Sequence, residues 1–207
     1  MPVKWNLTMG KLFVPALAQF LLGNPNSRLI YMSIPRGSDS DAAKVHQAAI
    51  ALGSNIGDSH TIVQSALQRL DETPGIVLNA CSPVYQTVAI GPPQPDILNA
   101  CALLSTTLDP PTLMTAMLAI EASFGRIRRE RWGPRSLDLD LLLFDDLILK
   151  QPGLTIPHPS MTQRAFVLVP LLDIAPDWVD PVSGQTIAML AHQVDWSGVK
   201  LYSLENE

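Results

Sequence analysis

Residues 125–146, GRIRRERWGPRSLDLDLLLFDD, constrain what this chain can become more than any other stretch. Positive charge comes first: Arg126, Arg128, Arg129, Arg131 and Arg135 place five of the fourteen lysines and arginines within ten residues. Gly133-Pro134 then turns the chain, and residues 137–144 form an apolar run broken only by Asp138 and Asp140. A leucine-rich run of that length, bounded by a Gly-Pro turn and by Asp145-Asp146, predicts a buried strand. Side chains alternate along a strand, so Asp138 and Asp140 share one face, and Leu137, Leu139 and Leu141 the other. Two carboxylates on one face of a buried strand repel each other and resist leaving water unless positive charge stands between them. A hard divalent cation such as Mg2+ meets that need, and it usually arrives with phosphate oxygens. The arginines just upstream carry donors that match phosphate. Together these features point to a phosphoryl-transfer site. The residues alone leave blander readings open: a D-x-D pair can cap a strand end or pair with Arg135, and an arginine run can be a solvated loop.

Charge elsewhere in the chain narrows the ligand. A net charge of −5 and a pI near 5.3 argue against broad nucleic-acid binding, because the positive charge is local and suits a small anion. With 47% hydrophobic and 16% charged residues, the chain reads as globular. Its length of 207 residues allows one domain plus a tail. Cys81 and Cys101 are too few for a disulfide framework and read as buried free thiols. No apolar run reaches the roughly 18 residues that a membrane helix needs. Residues 12–22, LFVPALAQFLL, follow Lys4 and Lys11 in the outline of a signal peptide. Pro15 interrupts that core and no small-x-small site follows it, so the expected location is cytoplasmic. Residues 24–44 mix Pro, Gly, Ser and Asp without periodicity. The expected division is therefore a poorly ordered extension over residues 1–44 and a folded domain over residues 45–207, acting as a monomer.

Along the folded part, residues 46–52 predict a strand ending at Gly53-Ser54-Asn55. Asp58 or Ser59 can cap a helix through Val63, Ala66, Leu67 and Leu70, which Thr73-Pro74-Gly75 stops. Residues 76–81 and 84–88 read as strands, residues 91–95 as a stiff proline loop, and residues 97–108 as a long strand. Asp109-Pro110-Pro111 opens a second helix that Gly125 ends. Residues 154–159 read as a short extended segment and turn. A helix is expected after Pro170, and a last one over residues 186–192. Strand, helix, strands, helix, strand is the order of an α+β protein. It predicts a ferredoxin-like antiparallel sheet with helices packed on it, an α/β/α-type sandwich.

With those pieces in place, residues 48–178 resemble the 6-hydroxymethyl-7,8-dihydropterin pyrophosphokinase family of folate biosynthesis. RWGPRSLDLDLL, residues 131–142, resembles its signature segment. Leu52-Gly53-Ser54-Asn55, Tyr85-Gln86-Thr87, Asp96-Ile97-Leu98-Asn99, Ile156-Pro157-His158 and Arg164-Ala165-Phe166 follow in the matching order. The resemblance implies transfer of pyrophosphate from ATP to the pterin's hydroxymethyl group with release of AMP. It implies two Mg2+ ions held by Asp138 and Asp140, and catalytic roles for Arg126, Arg135 and His158. Glu121, Arg128, Trp132, Leu141, Thr155 and Arg164 would join Arg135 and His158 around ATP. Gly53, Thr87, Val88, Ile90, Ile97, Asn99, Trp132 and Phe166 would surround the pterin, with Asn99 offering donor and acceptor and Phe166 a stacking face. Ile97, Val88, Ala89 and Pro159 depart from the residues often found at those positions. Ion pairing with Glu130 or Asp145 is the alternative for the arginines, and a core or surface histidine is the alternative for His158. The loops over residues 91–95 and 126–131 are expected to close over the substrates. Rival readings are a ferredoxin-like RNA-binding module and a catalytically silent homologue. Acidity and the lack of an aromatic row oppose the first, and intact Asp138, Asp140, Arg135 and His158 oppose the second.

Overall fold

Strand β4, Ile97–Thr106, is the axis on which the other strands assemble. The structure, a computed structural model, describes residues 44–89, 91–126 and 133–203. On one side β4 pairs antiparallel with β1, His46–Ser54, along its whole length. Its other side is shared: β2, Ile76–Cys81, pairs with the C-terminal half, and β3, Tyr85–Thr87, with Ile97–Asn99. β5, Asp138–Phe144, lies outside β1. A hairpin of β6, Leu149–Gln151, and β7, Leu154–Ile156, follows it. β8, Val199–Leu201, closes the far edge against β3, so the sheet runs β5-β1-β4-β3-β8. The order of elements and the antiparallel pairing are those of the expected ferredoxin-like sheet.

Helices cover both faces, because both faces of β1 and β4 are apolar. Helix α1, Ser59–Asp71, starts where Asp58 accepts the Thr61 N–H, and buries Val63, Ala66, Leu67 and Leu70. Helix α2, Pro110–Ser123, starts where Asp109 accepts the Thr112 N–H; beyond its end Gly125 takes φ +73°. These two pack on Ala48, Ile50, Leu52, Ala100, Ala102 and Leu104. Helix α3, Ala165–Ile174, and the short α4, Ile187–Ala191, cover Ala49, Cys101, Leu103 and Leu143 on the other face. The result is the expected α/β/α sandwich.

The differences from expectation have local causes. Helix α3 begins at Ala165, five residues before Pro170, and carries that proline in its interior. An internal proline costs about 3 kcal/mol. Val167, Leu168 and Leu171 are buried against the sheet and offset that cost, each contributing roughly 1.5–3 kcal/mol. Strand alternation holds through Leu141 and then breaks. The register shifts between Ala49 and Ile50, whose partners are Leu143 and Leu141, leaving Leu142 as the extra residue. Cys101 is buried, but Cys81 is only partly so. Among the described residues no helix is long and apolar enough to cross a membrane. The described residues belong to a unit spanning Ala43–Glu207, whereas the extension expected before it lies, apart from Lys44, outside them.

Candidate active site

Register alone builds the floor of the site. Asp138 of β5 stands opposite Gly53 of β1, and Gly53 opposite Asn99 of β4. One step along, Asp140 stands opposite Ala51, and Ala51 opposite Cys101. Because Cys101 and Ala51 face α3, both carboxylates and Asn99 do too. A cavity of about 490 Å3 opens above this row, between the sheet and the start of α3. That volume is of the size of a small-molecule site. Gly53 keeps the floor low: a β-carbon there would sit 3.7 Å from Asn99 Oδ1 and 3.8 Å from the Asp138 β-carbon.

Each carboxylate has its own basic partners. Asp138 accepts from Arg126 through one oxygen and from Arg135 through the other. Asp140 Oδ2 lies 3.6 Å from Arg164 Nη1 and 3.9 Å from His158 Nε2. Burial, and after it the Asp138 charge, push the Asp140 pKa up, while His158, Arg164 and Arg126 pull it down. Burial chiefly lowers the His158 pKa, so the ring favours its neutral form. The Ser160 N–H donates to His158 Nδ1 at 3.2 Å, which assigns the ring proton to Nε2, on the side of Asp140. The histidine is held by its backbone N–H, which donates to the carbonyl of Leu142, the residue at the register shift, at 2.9 Å.

Glu121 holds the arginine in place from below. It is only 3% exposed, and its Oε1 accepts from Arg126 Nη1 at 2.6 Å and from the Leu139 N–H at 2.8 Å. Arg126 also donates to the Leu137 carbonyl at 3.0 Å. Glu121 thus ties the end of α2 to β5 and fixes the guanidinium beside Asp138. Asn55 provides a second tie. Its amide donates to Gln94 Oε1 and the Pro95 carbonyl, while its Oδ1 accepts the Arg135 N–H at 2.8 Å.

The opposite half of the cavity is less charged. Asn99 is buried and gives both amide hydrogens away, to Thr87 Oγ1 at 2.8 Å and to the Ile97 carbonyl at 3.1 Å. The carbonyl partner settles the amide's orientation, and Oδ1 is the acceptor it presents. Ile97 and Thr87 line this half from the sheet, Val88 at its rim, and Phe166 from α3. The Arg164 guanidinium lies 5.6 Å from the centre of the Phe166 ring.

The structure therefore gathers Gly53, Thr87, Val88, Ile97, Asn99, Arg135, Asp138, Asp140, Arg164 and Phe166 around one cavity, with Arg126 and His158 on its acidic side. Leu141 is elsewhere: it is buried in the core under α1 and α2, on the face away from the carboxylates. Thr155 sits in the β6–β7 hairpin opposite Lys150 and does not line the cavity. Ile90, Arg128 and Trp132, with Arg129, Glu130 and Arg131, lie outside the described residues. Asp145 partners His46 and the Gln47 N–H. Sequence reasoning missed Gln163 and the wall formed by Asp195, Gly198 and Val199. Asp195-Trp196-Ser197-Gly198 is legible as a turn, but nothing in the sequence says that the turn reaches a cavity.

The site thus sets paired carboxylates and three arginines at one end of a cavity whose other end is floored by a buried amide and walled by Phe166, on a ferredoxin-like sandwich. Residues 49–176 match the model of the 7,8-dihydro-6-hydroxymethylpterin-pyrophosphokinase (HPPK) family, and the chain belongs to that family. Among its relatives is a 2-amino-4-hydroxy-6-hydroxymethyldihydropteridine pyrophosphokinase of Synechocystis, 53% identical over 154 residues, 74% of this chain and 79% of that protein. A Methylorubrum extorquens protein of the same name is 41% identical over 155 residues, 74% of this chain and 97% of that one. The fold is shared with solved structures such as Plasmodium falciparum HPPK-DHPS with pteroate, at TM-score 0.59 and 16% identity. That match covers 74% of this chain but 43% of the longer one.

Proposed function

We propose that this chain transfers pyrophosphate from ATP to the hydroxymethyl group of 6-hydroxymethyl-7,8-dihydropterin, releasing AMP, as a step of folate biosynthesis. The observation that carries this reading is the row Asp138–Gly53–Asn99, which sets an acidic, arginine-lined end beside an amide-floored slot under Phe166. Five strands from β5 to β8 span four interstrand steps, roughly 19 Å at ~4.8 Å each. The cavity is lined by residues from both β5 and β8, so it reaches across the sheet from the acidic end to the far edge.

Asp138 and Asp140 would hold magnesium. The donor set fits: Asp138 and Asp140 offer carboxylate oxygens on one face of β5, and, since no three metal-binding side chains group together among the described residues, the rest of the shell would fall to water and phosphate. Mg2+ typically completes its shell with water and phosphate oxygens. When bound, the metal neutralises phosphate charge and polarises the phosphoryl oxygens, worth several kcal/mol. Arg126 and Arg135, now on Asp138, stand where they can transfer their donors to phosphate oxygens. His158 offers a neutral Nε2–H to the same end, and Arg164 adds a charge between the nucleotide and Phe166. Asn99 Oδ1 accepts from the pterin's N–H edge, and Phe166 covers the ring. The hydroxymethyl oxygen then bonds to the β-phosphorus, its proton is released, and the bond from that phosphorus to the α-phosphate oxygen breaks to give AMP. Asn55 holds residues 94–95 and Arg135 to one frame, which couples the two ends of the site.

The RNA-binding alternative meets a physical obstacle, since helices cover both faces of the sheet. The reading further includes a monomer acting in the cytoplasm on small molecules, with two magnesium ions. AMP release from ATP and Mg2+, measured with and without the pterin, tests it. Release that requires the pterin is expected; pterin-independent release or none overturns the assignment of the acceptor.

A further inference from the structure

We propose that residues 195–199 form the outer wall of the acceptor half of the cavity and select a neutral heterocycle over a phosphorylated one; this rests on the reading above. Sheet order places the segment. β8 lies at the edge opposite β5, so Asp195, Gly198 and Val199 line the cavity from the end remote from Asp138 and Asp140. Val199 pairs with Thr87, the residue whose hydroxyl accepts from Asn99. All of these wall residues lie beyond residue 176, the end of the family match.

The segment is built as a fixed element. Trp196 Nε1 donates to the Ala191 carbonyl at 2.6 Å, and the Val199 N–H to the Trp196 carbonyl at 2.8 Å. At the far end the Tyr202 N–H donates to the Val84 carbonyl at 2.9 Å, and the Tyr202 ring packs on His60. β3 has three residues, too few to hold itself on one edge of β4; β8 supplies its second partner.

Two features of the wall select the ligand. Asp195 accepts the Ser197 N–H at 2.9 Å and its hydroxyl at 2.7 Å, one per oxygen. A carboxylate has about four acceptor positions, so the group keeps capacity for N–H donors on a ring edge. Asp195 is exposed at the mouth, so its charge is screened by water and acts as a modest bias of a polyanion toward the arginine end. Gly198 is an exposed lining residue with an ordinary backbone, and a β-carbon there would meet nothing within 4 Å, so a long side chain at this position has room to lie over the cavity mouth.

The test uses the full chain and titrates 6-hydroxymethyl-7,8-dihydropterin calorimetrically with Mg2+ and a non-hydrolysable ATP analogue present. Gly198→Leu fits sterically and is expected to weaken pterin binding about tenfold with analogue affinity unchanged. Asp195→Asn keeps an acceptor for Ser197 and is expected to lose a few-fold in pterin affinity, again without effect on the analogue. Pterin affinities equal to wild type in both variants overturn the wall, as does equal weakening of both ligands. A wild-type chain that binds the analogue but not the pterin overturns the proposed acceptor, and the wall's role with it.

Discussion

Asp140 is one-third exposed by its side chain and held by long contacts to Arg164 and His158, so its value to the fold is small. Asp140→Ala should therefore leave stability within about 1 kcal/mol of wild type. Turnover should fall about a hundredfold or more if Asp140 holds magnesium as proposed. Steady-state AMP release beside a thermal melt checks both halves, and normal turnover would remove the metal assignment. His158 behaves differently. Burial depresses its pKa, so as pH falls through about 6.5 the unfolded chain takes up the proton first. Stability contributed by the neutral ring is thus present above that pH and declines below it. In His158→Gln that slope should flatten between about pH 7.5 and 6, and turnover should drop about tenfold because a flexible amide donor replaces the ring that the Ser160 N–H holds in place. Melts at the two pH values would expose an error of sign.

Between elements, Glu121 is the joint that matters most. One carboxylate ends α2, satisfies the Leu139 N–H of β5 and anchors Arg126. Glu121→Ala leaves the buried Leu139 N–H without its acceptor, while the partly buried Arg126 guanidinium keeps Asp138 and the Leu137 carbonyl. Leaving a buried donor unsatisfied costs about 1–3 kcal/mol. Denaturant melts should show a loss of that order, and the surviving folded protein should turn over slowly because Arg126 has lost its anchor. A loss under about 1 kcal/mol would mean that solvent replaces Glu121 freely. The elements themselves are largely legible in the sequence. Asp58 and Asp109 cap the helices that their positions announce, and D-x-D alternation places both acids on one face. The start of helix α3 is not legible, because Pro170 is a strong local signal for a helix start, whereas burial of Val167, Leu168 and Leu171 is a tertiary effect. The three-residue strands β6 and β8 carry no periodicity to read; their pairing partners define them.

At the scale of the molecule, two apolar clusters back one sheet, and both close within Ala43–Glu207. A chain beginning at Ala43 is therefore predicted to keep the melting temperature and the pterin-dependent AMP release of the full chain, within about twofold. A truncated chain that folded but was inactive would assign residues 1–42 a part in catalysis. The amino-acid sequence by itself determined the fold class, the helix caps, the shared face of Asp138 and Asp140, and the family resemblance. The caps and the shared face depend on spacing within one element, where backbone geometry converts residue order directly into direction; the fold class and the resemblance depend on the order of such segments along the chain. Tertiary structure alone decided that Glu121 lies under Arg126 rather than in the cavity, and that Leu141 turns away from it. It also decided that Asn55 reaches Arg135, eighty positions along, and that the C-terminal turn closes the acceptor half. Periodicity says which way a side chain points, but what it meets depends on segments distant in the chain, brought together only when the sheet is assembled.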